Sequence, residues 1–241
     1  MDWLRFIYTS LSEACALIVH LDPYLFSVIS VSLRVSLTAL AVSALISAGF
    51  ASLISWGKFP GRGLLRLLVH TGMGLPAVIV GLFVLVLLTR DGPFGALGLI
   101  WTPTAMVISQ SALITPLMTG VMLSALESVD GLIADAATAL GASRWGRAWA
   151  VIREARLGFI TAIIAGFGRA ISEVGSVMLV GGNIAWSDGL SYTRTLTTAI
   201  VVETRKGNFE TALALGLILL VIVLGINLIA SSLQRRRGWQ S

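Results

Sequence analysis

"SVDGLIADAATALGASRWGRAWAVIREAR", residues 128–156, decides how this chain is organised. The stretch is alanine-rich, carries Arg144, Arg147, Arg153 and Arg156, and lies between long apolar runs. A tight polar turn would join two membrane spans, yet this connection holds a helix-compatible segment. Leu132 to Leu140 are nearly all good helix formers, Asp130 can cap the amino end, and Gly141 can end the last turn. The surface of such a helix would be mostly methyl groups, which let another backbone approach closely. Two uses remain open: a helix that lies in the groove of a partner, or a linker that packs under the bundle.

Working outward, the 241 residues are 56% hydrophobic and 12% charged, with a mean hydropathy of +0.90. Those values place the chain among membrane proteins. The single Cys15 excludes an internal disulfide and a thiolate metal cluster. A net charge of +5 in so apolar a chain reports orientation in a bilayer rather than nucleic-acid binding. Asp2, Arg5 and Glu13 interrupt the first apolar stretch, so no cleavable signal peptide is expected.

A hydrocarbon core of about 30 Å needs roughly 20 apolar residues per helix. Tyr24–Ile54, Leu64–Leu88, Gly158–Val180 and Thr211–Leu233 meet this, and Leu97–Leu126 reads as a fifth span interrupted by Pro103, Gln110 and Pro116. Residues 1–23 mix charges with Trp3, Phe6, Ile7, Leu11 and Leu17, which suits a helix lying along the interface; a poor sixth span is the alternative. Residues 183–210 contain the apolar core Leu196–Val202, too short to cross, and read as a surface or re-entrant helix on the outer side. Arginine and lysine set the orientation. One side carries Lys58, Arg62, Arg66, Arg144, Arg147, Arg153, Arg156, Arg235, Arg236 and Arg237; the other carries Arg5, Arg90, Arg194, Arg205 and Lys206. The 127–157 loop and the C-terminus are therefore expected in the cytoplasm.

Ionisable groups at membrane depth usually face a bundle interior or a pathway. Arg169 and Glu173 are four residues apart, which on a continuous helix places them on one face where they can neutralise each other. With Ser176 they are candidates for the translocation path, or a pair that only fixes helix packing. Pro76, among Gly72, Gly74 and Gly81, predicts a kink and close helix approach. His70 reads as a packing residue rather than a ligand, and Arg34 as snorkelling or pairing across the bundle. "LVGGNI", residues 179–184, gives a flexible exit toward Arg194, Thr195, Thr197 and Thr198.

No phosphate-cradling glycine-lysine motif occurs, so no ATP hydrolysis by this chain is expected. Zinc-binding helices and clustered cysteines are absent from the sequence, which argues against a metalloenzyme. An intramembrane enzyme using Glu173 as a base lacks a supporting nucleophile. A secondary transporter coupled to ions is the closer physical rival.

"DAATALGASRWGRAWAVI" resembles the cytoplasmic loop of type I ABC importer permeases, with Asp135, Ala136, Ala137 and Gly141 at the pattern positions. Asp135 stands where the family usually has glutamate, and "VIREARLG" lacks the proline that commonly closes the motif. The resemblance runs from "SLRVSLTAL" to "NFETALALGLILL". At "AGFGRAISEVGSVMLVGGNI" and "TRTLTTAIVVETRKGNFE" it is closest to tungstate importers, then to molybdate and sulfate relatives.

It implies an all-α transmembrane domain of about five spans, an N-terminal interfacial helix and a cytoplasmic coupling helix. The site residues it implies are Asp135, Ala136, Ala137, Gly141, Ser143 and Arg144 for ATPase coupling, and Pro76, Arg169, Glu173 and Ser176 for the gate and path. Implied partners are a second copy, two ATP-binding subunits that hold ATP and magnesium, a periplasmic or extracellular binding protein, and membrane lipid. No cofactor in this chain and no nucleic acid are implied.

Overall fold

The computed structural model describes residues 3–19 and 22–238. Phe6, Leu17, His20, Arg235, Arg236 and Arg237 fall outside the described side chains. In chain order the helices are α1 (Trp3–Val19), α2 (Pro23–Trp56), α3 (Arg62–Met73), α4 (Ala77–Leu88), α5 (Pro103–Glu127), α6 (Gly131–Ala139), α7 (Arg144–Glu154), α8 (Arg156–Ile171), α9 (Gly175–Gly181), α10 (Leu196–Lys206) and α11 (Phe209–Gly238). No β-strand forms among the described residues; one antiparallel bridge pairs Ala185 with Ser191.

The starts of these helices follow from local chemistry. Asp22 accepts from the Leu25 amide at 2.8 Å, with Pro23 at the first helical position, where a missing N–H costs nothing. Thr102 and Pro103 do the same for α5. The expected span Leu97–Leu126 is thereby shortened: Pro103 opens a helix rather than interrupting one, and Gly95–Leu97 is a short 3-10 turn. Pro116 stays inside α5.

Among the described residues three helices, α2, α5 and α11, are long and apolar enough to cross a membrane, and two bent pairs bring the number to five if each is one span. Both bent pairs correct the expectation of continuous spans. Residues 64–88 form α3 and α4, which meet at 109° across Gly74, Leu75 and Pro76, a full break rather than a kink. Residues 158–180 form most of α8 and α9, bent by 58° at Ser172–Val174.

The core is the crossing of α2 and α5, with α8 packed on both. Ser32, Ser36, Ala39, Ser43, Ser47 and Ala51 form a buried stripe of small side chains along α2. Lipid-solvated helices gain little from apolar association, so close packing and hydroxyl bonds must hold this crossing. Ser47 Oγ donates to the Thr115 carbonyl at 3.0 Å, Thr115 Oγ1 to Ser43 Oγ at 3.1 Å, and Ser43 Oγ to the Ser111 carbonyl at 3.4 Å. A second cluster joins the start of α2 to α10 and α11 through Leu25, Val28, Leu196 and Leu215. A third joins α2, α4, α5 and α9 through Val35, Val84, Met106 and Val180. α1 lies against α11.

Candidate functional site

The site has three parts: a bare helix at one end of the bundle, broken helices in its middle, and a braced loop at the other end. Asp130 accepts from the Leu132 amide at 2.9 Å and caps α6. Gly141 ends the helix with φ of +79°, a left-handed conformation that disfavours any side chain. Ser143 then caps α7 through the Gly146 amide at 3.2 Å. The Asp130 cap, the helix and its end at Gly141 are as expected; the Ser143 cap is an addition. Ile133, Ala134 and Ala137 are half-buried, whereas Asp135, Ala136, Ser143 and Arg144 are exposed. Leu132 is 70% exposed and Leu140 88%. The helix thus touches the core through Ala134 while its two leucines stay bare.

Just before α6, Glu127 at the end of α5 accepts from Arg66, with Arg62 at 3.7 Å. Arg62 also donates to the Ser55 carbonyl at 3.0 Å. These contacts join α3 to the segment that carries α6.

The middle of the bundle separates the expected Arg169–Glu173 pair. Arg169 is exposed in the last turn of α8, while Glu173 is buried in the break beyond it. No ion pair links them among the described residues. The four-residue spacing implied one face only if the helix continued, and it does not. Instead Glu173 Oε1 accepts from the Ser176 amide at 3.0 Å, satisfying the first turn of α9. The Glu173 carbonyl accepts from Thr197 Oγ1 at 2.9 Å. Pro76 is exposed at the start of α4, whose Val78 packs against Gly175 beside Glu173. Ser176 is buried against Gly81: a Cβ on Gly81 would lie 2.5 Å from the Ser176 Cα. Gln110, anticipated only as an interruption, donates from Nε2 to the Ala170 carbonyl at 2.9 Å, bracing the end of α8 against α5. A buried amide in an apolar run was the signal for it.

One further expectation changes: His70 is exposed in the last turn of α3 rather than packed. Arg34 is exposed on α2 without an ion pair among the described residues, which leaves snorkelling of its two alternatives.

Replacing Glu173 by alanine is expected to lower the stability of the detergent-solubilised chain by about 1 kcal/mol, the usual cost of a lost capping acceptor. Glu173→Gln keeps an acceptor oxygen and most of that stability, which thermal unfolding of the two variants checks.

The loop after α9 is braced rather than free. Thr193 Oγ1 donates to the Gly181 carbonyl at 2.6 Å and accepts from the Ile184 amide at 2.8 Å. Arg194 reaches Asn183 Oδ1 at 3.2 Å and the Tyr24 hydroxyl at 3.3 Å, with its guanidinium over the Tyr24 ring. The Leu196 amide donates to Ser32 Oγ at 2.8 Å. Thr195 and Thr198 form a reciprocal capping box at the start of α10. Leu196, Thr197, Thr198 and Ala199 are buried, so α10 is tucked into the bundle rather than spread on its surface.

Burial pushes the Glu203 carboxyl up, but hydrogen bonds from Lys206 and Asn208 and the charges of Lys206 and Arg194 outweigh it and hold the group below its ordinary value. A depressed carboxyl stabilises above its unfolded value, about 4.5, and that stability is lost as pH falls through the folded value. The protection of residues 196–208 against hydrogen exchange, taken relative to the intrinsic rate at each pH, is therefore expected to hold from neutral pH down to about 4.5 and to fall below it. Glu203→Gln should lack that acid-dependent fall in protection.

Against this geometry, sequence comparison matches residues 41–238 to the family described as binding-protein-dependent transport system inner membrane component. The chain belongs to this family. The permease is 49% identical over 213 residues to a probable anion ABC transporter permease protein of Haloferax volcanii, covering 88% of this chain and 92% of the relative. It is 36% identical to the tungstate uptake system permease protein TupB of Peptoclostridium acidaminophilum, over 96% of this chain and 99% of the relative. A molybdenum transport system permease protein of Escherichia coli is 30% identical over 77% of this chain and 83% of its own length.

Among solved structures, a bacterial ABC transporter involved in alginate import superposes with a TM-score of 0.74 at 18% identity, over 98% of this chain and 90% of that one. That likeness shows the fold: the permease has the transmembrane architecture of ABC importers. It is a multi-pass membrane protein whose relatives are ABC transporter permeases.

Proposed function

We propose that this permease forms, as a pair of identical copies, the membrane path of an ATP-driven importer for an oxyanion, and that the oxyanion is tungstate. The observation that carries the coupling role is α6, a capped helix whose Leu132 and Leu140 are bare in the isolated chain. In this reading α6 lies in a groove of an ATP-binding subunit, with Asp135, Ala136, Ala137, Gly141, Ser143 and Arg144 at the contact. That subunit supplies ATP and magnesium; this chain contributes no catalysis of its own. Residues 127–157 and the C-terminus face the cytoplasm, in line with the arginine distribution. Residues 1–23 lie along the interface, and residues 183–210 face the binding protein that delivers the cargo.

Supporting the oxyanion are the relatives named for an anion, tungstate and molybdenum, with a tungstate relative aligned over almost the whole chain. ATP-driven closure of the ATPase pair would move α6 and, through the Glu127 contacts to Arg62 and Arg66, the broken α3–α4 pair. The bent helices then switch between two packings rather than deforming continuously. Pro76, Arg169, Glu173 and Ser176 belong to the moving half. In this reading Arg169, exposed in the single chain, meets the second copy.

The test is ATP hydrolysis and anion uptake in proteoliposomes that hold this chain, its ATP-binding subunit and the binding protein. Tungstate-loaded binding protein should stimulate both above molybdate and sulfate. Uptake driven by a proton gradient without any ATPase would overturn the reading in favour of an ion-coupled transporter.

A further inference from the structure

A cavity of about 600 Å³ opens beside α6, where the end of α2 meets α7. The residues at 144, 147, 148 and 151 share one face of α7 by their spacing, and all four line it. Buried Val151 and half-buried Ala148 make an apolar floor; Arg144 and Arg147 are exposed at the rim; Trp56 and Trp145 stand as indole walls. No carboxylate lines this cavity. Neither arginine has an ion-pair partner among the described residues, in contrast to Arg62 and Arg66, which share Glu127.

Trp56 is the last residue of the apolar, 34-residue α2. Tryptophans beside unpaired basic side chains at the end of an apolar helix are the arrangement that meets anionic headgroups. An occupant suited to it is amphiphilic: negative charge for two unpaired guanidinium groups, and apolar matter for the floor. A free phosphate would satisfy the rim and leave the floor wet.

We propose that this cavity seats the headgroup of an anionic phospholipid, with its phosphate between Arg144 and Arg147 and its glycerol and first acyl carbons against Ala148, Val151 and the indoles. Guanidinium forks suit phosphate oxygens better than a point charge does. Arg144 serves both this site and the proposed ATPase contact, whereas Arg147 and Ala148 serve this site alone and are the positions to change.

The experiment is native mass spectrometry of the full chain, released from detergent after exposure to equal amounts of phosphatidylglycerol and phosphatidylcholine. The unaltered chain should retain a phosphatidylglycerol adduct in preference. Arg147→Gln should reduce that preference about fivefold, the effect of one basic side chain at an anionic surface. Arg153→Gln removes an equal charge from the same helix outside the cavity and should leave the preference intact. Ala148→Trp fills the cavity without altering charge and should abolish the adduct.

Because Arg147 is exposed, its removal leaves packing untouched. Equal retention of the two lipids, an unchanged preference in Arg147→Gln, or an adduct that survives Ala148→Trp would each overturn the proposal. Displacement of the lipid by the ATP-binding subunit would overturn it too, assigning the cavity to that partner, and displacement by inorganic phosphate would assign it to a soluble anion.

Discussion

Gly141→Arg should insert, fold and yet lose nearly all stimulation of ATP hydrolysis by the loaded binding protein. Nothing lies within 4 Å of a Cβ built at this position, so the chain itself has room for the side chain. The fold cost is confined to the backbone, since φ of +79° costs an L-residue roughly 1–2 kcal/mol. Helix α6 and the start of α7 are exposed around it, so that cost is not amplified by core packing. A long cation between Leu140 and Ser143 would instead stand where the ATP-binding subunit must approach. Obstruction at the centre of an interface weakens association by roughly 10- to 100-fold. Gly141→Ala carries the same backbone cost without the bulk and should keep most coupling. Normal coupled transport by Gly141→Arg would remove this glycine from the contact, and equal loss in both variants would mean that backbone strain, not obstruction, is responsible.

The second large effect is expected in the middle of the bundle. Gly81→Leu places a side chain into the Ser176 backbone, which a rotamer change cannot relieve, so α4 and α9 must separate. Overpacking of this kind costs typically 1–3 kcal/mol. The gap also opens the cluster of Val84, Met106, Val177 and Val180, which holds α4, α5 and α9 together. Transport should be lost while α6, at the other end of the chain's fold, still binds the ATP-binding subunit. Ser176→Ala in the same chain should not restore function, because the closest atom is Cα and survives that change. Normal uptake by Gly81→Leu would show that the two helices have slack at their crossing.

How far these sites could be read from the sequence depends on whether their signal is local. Asp130 caps the amide two residues on and Gly141 ends the helix by its own backbone conformation, so the extent of α6 could be predicted. Pro76 among glycines marked a distortion, but its size depends on how α3 packs across α5, which is non-local. The Arg169–Glu173 expectation failed for an instructive reason. A four-residue spacing has meaning only on an unbroken helix, and "ISEVGS" contains neither proline nor an uninterrupted polar run to announce a break. The break is sustained by distant groups: Thr197 bonds the Glu173 carbonyl, and Gln110 holds the Ala170 carbonyl. The serine ladder between α2 and α5 was equally hidden, because serines spaced along an apolar span have no visible partner until the crossing is known. Gln110 is the exception, since a lone amide at membrane depth is costly enough to require a bond, here to the Ala170 carbonyl.

Everything in the coupling account rests on α6 being covered by an ATP-binding subunit, and a photocrosslink tests that contact directly. Cys15, the single native cysteine, is replaced by serine, and a benzophenone maleimide is attached to Ala136→Cys, on the exposed side of α6. In proteoliposomes with the ATP-binding subunit, illumination should join the two chains, with a yield that changes when ATP is bound and hydrolysed. The same label at Ser187→Cys, in the loop after α9, should give no such product. Failure of position 136 to crosslink, in a preparation that is folded and holds both subunits, would contradict the account and leave α6 as a helix with another occupant.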